Sequence, residues 1–372
     1  MTNYLLAGGG TAGHVNPLLA VADRLREREP DASILVLGTA EGLEARLVPE
    51  RGHVLETIPK APFPRRLNRQ TLQFPGRFRR AVAHTRALVR DRDIDVVIGF
   101  GGFAATPAYV AAHREGVPYV VHEANARPGL ANVWGARRAA AVGTVYAETP
   151  LRRGELVGMP LRAEISTLDR AGSRAAAAEY FGLDADKPVL LVFGGSTGAR
   201  RINEALAQAW PEVIAEGWQI LHVAGGANVD DVDASGSEAR VVVPYADRMD
   251  LAYALADLAV CRSGSATVSE LSALGIPAAY VPYAVGNGEQ ALNARGVVHA
   301  GGALLIDDTD FTASAIVERI IPVLRDAELR ERMGRAAASF GTRDGTERLL
   351  ALADRVRAEV GAAPIEVSTG PL

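Results

Sequence analysis

Short apolar runs alternate with longer amphipathic stretches along most of this 372-residue chain. The runs are rich in Leu, Val, Ile and Ala with little polar alternation, which is typical of strands covered on both faces. They predict strands at Tyr4–Ala7, Ser33–Leu37, Val96–Phe100, Tyr119–Val121, Val189–Phe193, Gln219–Val223, Arg240–Pro244, Leu258–Cys261 and Ala278–Val281. Helical spacing predicts helices at Val15–Arg28, Ala199–Glu216, Val268–Leu274, Thr312–Arg325 and Arg343–Val360. This order of elements predicts the α/β class, with parallel sheets between helices.

The alternation starts twice, which indicates two domains. A strand runs into a Gly-rich turn at Gly8–Gly10 and again at Gly194–Gly195, and a polar, Ala-rich region, 162–187, separates the two halves. We predict doubly wound domains at residues 1–163 and 164–342, a final helix at 343–360 packed back on the first domain, and a disordered tail at 361–372. Ligands of such sheets bind beyond the carboxyl ends of the strands, so a cleft between the domains is the expected site.

Composition narrows the possible classes of protein. The net charge of −4 disfavours general nucleic-acid binding. The single cysteine, Cys261, excludes a disulfide framework and a multi-cysteine metal site. Two long uncharged stretches, 96–113 and 271–288, contain Gly and Pro and so predict strand–loop–helix rather than a membrane span. With no signal-peptide pattern at the start, we expect a cytoplasmic protein.

Three Gly-rich turns follow predicted strands. Gly8–Gly13 fits the G-x-G-x-x-G pattern of dinucleotide-binding domains, but the second strand ends in Gly38-Thr39 without the acidic residue that binds a ribose. Gly194–Arg200 is not a Walker loop, since no Lys-Ser/Thr follows, and the third turn is Gly99–Phe103. Each turn can receive a polar or negatively charged ligand at a helix N-terminus, or can serve only close strand–helix packing.

The second half carries a denser set of polar residues. Small residues after Arg262 leave backbone N–H groups at a helix N-terminus free for phosphate oxygens, and Glu270 lies one to two turns further on. Its carboxylate can accept both hydroxyls of a ribose, or can merely complement the helix dipole. Amide and acid side chains in 282–290 and at Asn293 suit a sugar, or can cap loops.

Six motifs occur in order across most of the chain: Gly9–Val15, His122–Asn125, Val157–Arg162, Gly194–Arg200, Cys261–Glu270 and Gly288–Ala294. As a set they resemble the MurG family, the N-acetylglucosaminyltransferases that complete the disaccharide of lipid II. The resemblance implies the GT-B fold, in which two Rossmann-like doubly wound domains face each other across a cleft. It also implies UDP-N-acetylglucosamine as donor, lipid I as acceptor and no cofactor.

By position in these motifs, the resemblance implies donor contacts at Thr11, Ala12, Gly13, Asn125, Arg162, Ser196, the backbone of Ala246, Ser265, Ala266, Thr267, Val268, Ser269, Glu270 and Gln290. The acceptor side is expected at Gly101, Gly102, Phe103, His122 and Asn203. Arg162 and the Ser196 turn are expected to hold phosphate and Glu270 the ribose, while Gln290 and Asn125 contact the N-acetylglucosamine. The chain departs from the usual family pattern at Ala12, Phe103, Ala124 and Thr197, which removes any hydroxyl role at position 103.

An inverting transfer needs a base beside the acceptor hydroxyl and stabilisation of the departing diphosphate. His14, near the N-terminus of the first helix, is the expected base, because a positive helix end favours the neutral imidazole. Glu123 and His122 are the alternatives. No metal is expected: Asp93 and Asp95 stand at the start of a strand, and the Asp308–Asp310 segment is predicted to cap a helix.

A basic segment suggests the protein's location. Residues 60–92 hold ten basic side chains and one acid, and Phe63, Leu67, Leu72, Phe74 and Phe78 are interleaved with three prolines that break regularity. Such a segment can sit on an anionic lipid surface, so residues 60–80 predict peripheral attachment at the cytoplasmic face of the membrane. A solvated loop with its Phe side chains in the core is the alternative, and no nucleic-acid motif accompanies the charge.

Three other functions are open from the sequence. A UDP-N-acetylglucosamine 2-epimerase has the same architecture and needs no lipid acceptor. A nicotinamide-dependent dehydrogenase is disfavoured by the missing ribose acid. A non-catalytic nucleotide-sugar-binding module is disfavoured by the presence of both His14 and the donor motifs.

Overall fold

The structure, a computed structural model, describes residues 1–60, 69–194, 199–226, 237–283 and 288–362. The chain forms two compact units. Unit 1 comprises Met1–Pro160 and Asp344–Leu372, and unit 2 comprises Leu161–Arg343. Arg162, which the sequence boundary at 163 assigned to the first domain, thus lies in unit 2. The predicted disordered tail lies almost entirely outside the described residues.

Unit 1 contains a parallel seven-stranded sheet in the order β3-β2-β1-β4-β5-β6-β7. Its strands are β1 (Asn3–Ala7), β2 (Ser33–Gly38), β3 (Val54–Thr57), β4 (Val96–Gly99), β5 (Tyr119–Glu123), β6 (Ala141–Thr144) and β7 (Gly154–Leu156). Its helices are α1 (Ala12–Arg28), α2 (Glu44–Glu50), α3 (Arg69–Asp91), α4 (Ala105–Glu115), α5 (Leu130–Gly135) and α15 (Gly345–Ala362).

The sheet of unit 1 is covered on both faces, because alternate strand residues enter two separate cores. Tyr4 and Leu6 pack with α1, α2 and α15, whereas Leu5 and Ala7 pack with α3 and α4. All four side chains are almost fully buried. This double burial explains why the sequence of β1 shows no polar alternation.

Unit 2 contains a parallel six-stranded sheet in the order β10-β9-β8-β11-β12-β13. Its strands are β8 (Val189–Phe193), β9 (Gln219–Val223), β10 (Arg240–Val243), β11 (Ala256–Cys261), β12 (Ala278–Tyr280) and β13 (Ala303–Leu305). Its helices are α6 (Ala163–Ser166), α7 (Arg170–Phe181), α8 (Arg200–Ala215), α9 (Met249–Leu255), α10 (Ser265–Ala273), α11 (Glu289–His299), α12 (Ala313–Ala315), α13 (Ile321–Arg325) and α14 (Ala327–Phe340).

The two sheets share a topology that locates ligand sites. In each, the strand order reverses between two central neighbours, β1 and β4 in unit 1 and β8 and β11 in unit 2. Loops after such neighbours diverge and leave a crevice at the carboxyl edge of the sheet. The predicted α/β class with two parallel sheets is therefore confirmed.

Two helix predictions are wrong in detail. Pro75 does not break the regularity of its segment, since α3 begins at Arg69 and continues through Pro75 to Asp91; Pro62 and Pro64 lie outside the described residues. The helix predicted at Thr312–Arg325 is instead a short α12, a π-helical stretch at Ile316–Ile320 and then α13. Pro322, in the first turn of α13, has no N–H and cannot donate a hydrogen bond to the carbonyl one turn earlier. This missing bond explains why the turn before it is π-helical.

No helix in the described part of the chain is long and apolar enough to cross a bilayer.

Candidate active site

The first glycine turn of unit 1 joins β1 to α1 and places His14 in the first turn of that helix. The His14 Nδ1 atom lies 3.1 Å from the carbonyl oxygen of Gly9 and 3.2 Å from Oγ1 of Thr11. Since a carbonyl can only accept, the neutral ring carries its proton on Nδ1 and leaves the lone pair on Nε2. Burial lowers the pKa of His14 from its usual 6.5, against the opposite effects of the Gly9 carbonyl and the Glu44 charge. His14 is therefore neutral at pH 7, as a general base must be.

The third glycine turn, after β4, packs directly on the first. A Cβ atom added at Gly102 would lie 2.3 Å from the Gly9 carbonyl oxygen, and one at Gly101 would lie 3.0 Å from His14 Nε2. Both glycines have positive φ angles, 94° and 79° for Gly101 and Gly102, which other residues rarely adopt. The two turns thus hold each other, and the Gly101 backbone lies against the ring of His14. Phe103, at the end of this turn, lies 5.2 Å below the ammonium group of Lys60.

The segment after β5 contains the two alternative bases, and both are committed to other contacts. His122 is 0% exposed, its Nε2 donates to the carbonyl of Gly158 at 3.1 Å, and burial lowers its pKa to about 4. Glu123 is 2% exposed and holds the following loop through the N–H groups of Asn125 and Gly129. Burial raises the pKa of Glu123 against these hydrogen bonds. This geometry favours His14 as the general base over His122 and Glu123. Because His122 is fully buried, it has no exposed surface that an acceptor could contact.

Asn125 is positioned by this same network. Its backbone N–H and side-chain amide both face Glu123 Oε1, at 2.8 and 3.4 Å. Its carbonyl accepts a hydrogen bond from the hydroxyl of Thr149. The side chain stays partly exposed two residues after the end of β5.

The N-terminus of α10 in unit 2 follows β11 at the crevice of that sheet. Gly264 is the N-cap and no side chain caps the helix, so the N–H groups of the first turn have no intrahelical partner. Ala266, Thr267 and Ser269 are partly exposed. Val268 differs, because its side chain is fully buried and its N–H already donates to Gly264. The predicted donor contact at Val268 is therefore not supported, whereas the residues beside it remain available.

Glu270, on α10, is joined to Arg162 and Tyr253. Its Oε2 accepts a hydrogen bond from the Tyr253 hydroxyl at 2.7 Å, and its Oε1 lies 3.7 Å from Nη2 of Arg162. Burial raises the pKa of Glu270, and the charge of Arg162 opposes that shift. Arg162 and Glu270, which were expected to bind phosphate and ribose, are therefore neighbours of opposite charge within unit 2.

Four further predicted contacts have different outcomes. Gln290, partly exposed on α11, accepts a hydrogen bond from the N–H of Tyr283 at 2.9 Å. Ala246 is almost fully buried in the loop after β10. Ser196 lies outside the described residues. Asn203 does not sit on an acceptor surface: it is 4% exposed within unit 2, donates to the carbonyl of Ala224 and lies 3.0 Å from His222 Nε2.

Two of the aspartates considered as metal ligands, Asp95 and Asp308, contact other residues of the protein. Asp95 accepts a hydrogen bond from the N–H of Asn3 at 2.8 Å. Asp308 does not cap the following helix, since it forms ion pairs with Arg262 and Arg201. The cap is Thr312, whose hydroxyl accepts from the N–H of Ala315.

Three buried polar residues beside these sites escaped the sequence interpretation. Glu44 binds the first glycine turn, Asn132 donates to Glu123 and accepts from Tyr109, and Tyr253 donates to Glu270. A signal existed for Tyr253, which is the only hydroxyl-bearing residue in the otherwise apolar stretch 251–256. A polar group in such a position needs a buried partner.

Comparison with known proteins defines the class. The profile of the Glycosyltransferase family 28 N-terminal domain matches residues 4–144, and that of the Glycosyltransferase family 28 C-terminal domain matches residues 189–349. Together they cover most of both sheets. The fold and its two crevices are accordingly those of a family 28 glycosyltransferase with the GT-B architecture.

Individual relatives narrow the class further. The chain is 58% identical over 365 residues to the UDP-N-acetylglucosamine--N-acetylmuramyl-(pentapeptide) pyrophosphoryl-undecaprenol N-acetylglucosamine transferase of Clavibacter michiganensis, with 98% of each chain covered. The crystal structure of Acinetobacter baumannii MurG matches with a TM-score of 0.75 and 26% identity, covering 95% of this chain and 100% of that one. The chain belongs to the MurG family.

A structural likeness to another enzyme class concerns the fold alone. A putative UDP-N-acetylglucosamine 2-epimerase from Listeria monocytogenes matches with a TM-score of 0.66 at 13% identity, and 98% of each chain is covered. The epimerase alternative therefore shares the architecture, but the close sequence relatives do not favour it.

Proposed function

We propose that the protein is an inverting glycosyltransferase that moves N-acetylglucosamine from UDP-N-acetylglucosamine to the 4-hydroxyl of the N-acetylmuramic acid in lipid I. The product is lipid II, the precursor for peptidoglycan synthesis. The observation that carries this proposal is the 58% identity, over 98% of both chains, to a relative named for the reaction. The arrangement of polar residues at the two sheet edges supports it.

Unit 2 binds the donor in this proposal. The N–H groups of Ala266 and Thr267 in the first turn of α10 receive the diphosphate, since anions bind favourably at a helix N-terminus. Arg162 adds a positive charge beside them, and Glu270 accepts the ribose hydroxyls with the lone pairs that Tyr253 leaves free. Gln290 and the Ser196 turn complete the contacts to the sugar and the diphosphate.

Unit 1 supplies the base and the acceptor contacts. His14 Nε2 takes the proton of the attacking 4-hydroxyl, while Thr11, Ala12, Gly13 and Asn125 contact the sugar being transferred. The turn formed by Gly101, Gly102 and Phe103 borders the acceptor. Helix N-termini and Arg162 balance the charge that develops on the leaving UDP, so the reaction needs neither a metal ion nor a cofactor.

Incubation with radiolabelled UDP-N-acetylglucosamine and a short-chain lipid I analogue tests the function. Label should enter the lipid fraction only when the acceptor is present, at a rate unchanged by EDTA. Release of N-acetylmannosamine without acceptor would indicate an epimerase. Loss of transfer in EDTA that Mg²⁺ or Mn²⁺ restores would contradict metal independence.

We also propose that unit 1 attaches to the cytoplasmic face of the membrane through an α3 patch, defined as Phe74, Arg77, Phe78, Arg79 and Arg80. The rings of Phe74 and Phe78 stack one helical turn apart, with centroids 5.5 Å apart, and both are partly exposed. Arg79 and Arg80 are exposed and form no ion pair within the described part of the chain. A basic helix that carries aromatic side chains suits an anionic lipid surface.

We restrict the proposed patch to the first half of α3, because basic residues further along are paired. Near the carboxyl end, Arg86 and Arg90 form ion pairs with Glu115, and Arg92 lies 3.7 Å from Glu56. Their charges are thus largely balanced within unit 1. Of the other residues proposed for the membrane surface, 61–68 lie outside the described residues.

The quadruple variant R79S/R80S/F74A/F78A should bind anionic vesicles at least about 30-fold more weakly than wild type. Each basic residue at such a surface contributes about 1 kcal/mol, and 1.4 kcal/mol corresponds to tenfold in affinity. The charge-matched control R46S/R355S changes α2 and α15 on the other face of the sheet and should bind like wild type. Co-sedimentation measures both, and equal binding by a folded quadruple variant would refute the α3 patch.

A further inference from the structure

A carboxylate with no exposed surface lies beside the first glycine turn of unit 1. Glu44, the first residue of α2, is 0% exposed. Its Oε2 accepts a hydrogen bond from the N–H of Gly10 at 2.8 Å, and its Oε1 accepts from the N–H and the hydroxyl of Thr39 at 2.9 and 2.8 Å. A buried carboxylate is costly unless its oxygens are hydrogen-bonded, and backbone N–H groups meet much of that demand here.

The surrounding chain leaves space for this one side chain. A Cβ atom added at Gly9 would lie 2.3 Å from Glu44 Oε1, one at Gly42 would lie 2.1 Å from Oε2, and one at Gly38 would lie 2.5 Å from Cγ. Contacts this short are not tolerated between a Cβ atom and a fully buried neighbour. The side chain of Glu44 therefore accounts for glycine at all three positions.

The carboxylate occupies the place of a ligand anion. In doubly wound domains that bind dinucleotides, the N–H groups of the turn after the first strand receive the pyrophosphate. Here the Gly10 N–H of that turn already donates to Glu44 Oε2. A phosphate group at this point would find its donor engaged and would meet a like charge. The turn is thus filled by an anion of the protein itself.

The same peptide group contacts Glu44 at one end and His14 at the other. The Gly9 carbonyl and the Gly10 N–H belong to one planar peptide and point in opposite directions. The N–H donates to Glu44 Oε2, and the carbonyl oxygen lies 3.1 Å from His14 Nδ1. Rotation of a peptide between two glycines meets little steric resistance. If it rotated, its carbonyl would face the carboxylate and its N–H would face His14.

We propose that Glu44 is a positioning residue whose carboxylate fixes the orientation of the Gly9–Gly10 peptide and so keeps the proton of neutral His14 on Nδ1. Nε2 is then the atom that accepts a proton. This role rests on the proposed base function of His14. Without the carboxylate, the peptide samples both orientations, and the imidazole proton moves to Nε2 in a fraction of the molecules.

The tautomer of His14 gives a direct readout in full-length protein labelled with ¹⁵N-histidine, because imidazole ¹⁵N shifts distinguish Nδ1–H from Nε2–H. The chain has seven histidines, and comparison with His14→Ala assigns the resonance. Wild type should show Nδ1–H. Glu44→Gln, whose amide presents an NH₂ group to Gly10, should show Nε2–H or a mixture. Its kcat should fall about 10- to 100-fold while the KM for UDP-N-acetylglucosamine stays within about twofold.

Controls separate positioning from general damage. Asp23→Asn removes another carboxylate of unit 1, one that contacts His53, and should change neither the tautomer nor kcat. Glu44→Asp, which is one methylene too short to reach Gly10, replaces the Gln variant if that variant does not fold. In a His14→Ala background, Glu44→Gln should cause no further loss of turnover.

Two results would overturn the proposal: an Nε2–H tautomer in wild type, or an unchanged Nδ1–H tautomer in the Glu44 variant. A wrong base assignment would give a different result. His14→Ala would then keep wild-type turnover, and this outcome does not depend on which tautomer His14 adopts in the Glu44 variant.

Discussion

Replacing His14 by alanine should lower kcat about 10²- to 10⁴-fold, the usual contribution of a positioned general base. Affinity for UDP-N-acetylglucosamine should change by less than about threefold, because we assign the diphosphate and ribose contacts to unit 2. The expectation rests on the neutral imidazole, whose Nδ1 faces the Gly9 carbonyl and whose Nε2 carries the lone pair. Steady-state transfer to the lipid I analogue and equilibrium binding of the donor measure the two quantities.

The pH dependence of wild type offers a check on the same group. Burial lowers the pKa of His14 below 6.5, so its basic form is present at pH 7 and is lost only as pH falls through that lowered value. The acid limb of kcat should therefore lie below pH 6.5 and disappear in His14→Ala. Turnover of Glu123→Gln is compared with that of His14→Ala. Because both oxygens of Glu123 already accept hydrogen bonds, we expect the smaller loss of turnover in Glu123→Gln. A larger loss of turnover in Glu123→Gln than in His14→Ala would reverse the assignment.

Replacing Glu270 by alanine should weaken UDP binding by about 1–3 kcal/mol, or about 5- to 150-fold in Kd. The variant loses the carboxylate that we assign to the ribose, and it leaves Arg162 without the anion at 3.7 Å. Turnover at saturating donor should fall much less, because Glu270 contacts no reacting atom in this account. Calorimetric titration with UDP gives the affinity directly.

Tyr253→Phe is the matched control for Glu270. It removes the hydroxyl that donates to Glu270 Oε2 but keeps the carboxylate, its neighbour Arg162 and the ring packed against Phe193. UDP affinity should stay within about threefold of wild type. Wild-type affinity in Glu270→Ala would refute the ribose assignment, whereas an equal loss in both variants would show that packing of this region, rather than the carboxylate, determines binding.

The sequence predicts the central strands well because those strands are buried on both faces and therefore continuously apolar. It does not predict β3, β6, β7 or β13, which are short and lie at or next to the ends of their sheets. The three residues of β7 are exposed, so no burial pattern marks that strand. Pro75 gave a misleading signal, because α3 continues through it from Arg69 to Asp91 although proline cannot donate the hydrogen bond to the carbonyl one turn earlier.

The site is predictable where a motif is continuous in sequence and unpredictable where side chains meet across the fold. His14 and the α10 N-terminus are examples of the first kind, since a strand–turn–helix pattern fixes their place at a sheet edge. The pairing of Arg162 with Glu270 and the contact of Glu44 with Gly10 join residues far apart in the chain. No local pattern specifies such pairs, although the glycines around Glu44 were a sign that something occupies the space.

The stereochemistry of the product distinguishes inverting transfer to lipid I from the other possible reactions. Wild-type protein is incubated with UDP-N-acetylglucosamine and the lipid I analogue, and the purified product is examined by NMR. We expect one β-linked N-acetylglucosamine on the 4-oxygen of N-acetylmuramic acid, with one UDP released for each sugar transferred. An α-linked sugar, or N-acetylmannosamine with no disaccharide, would contradict this expectation.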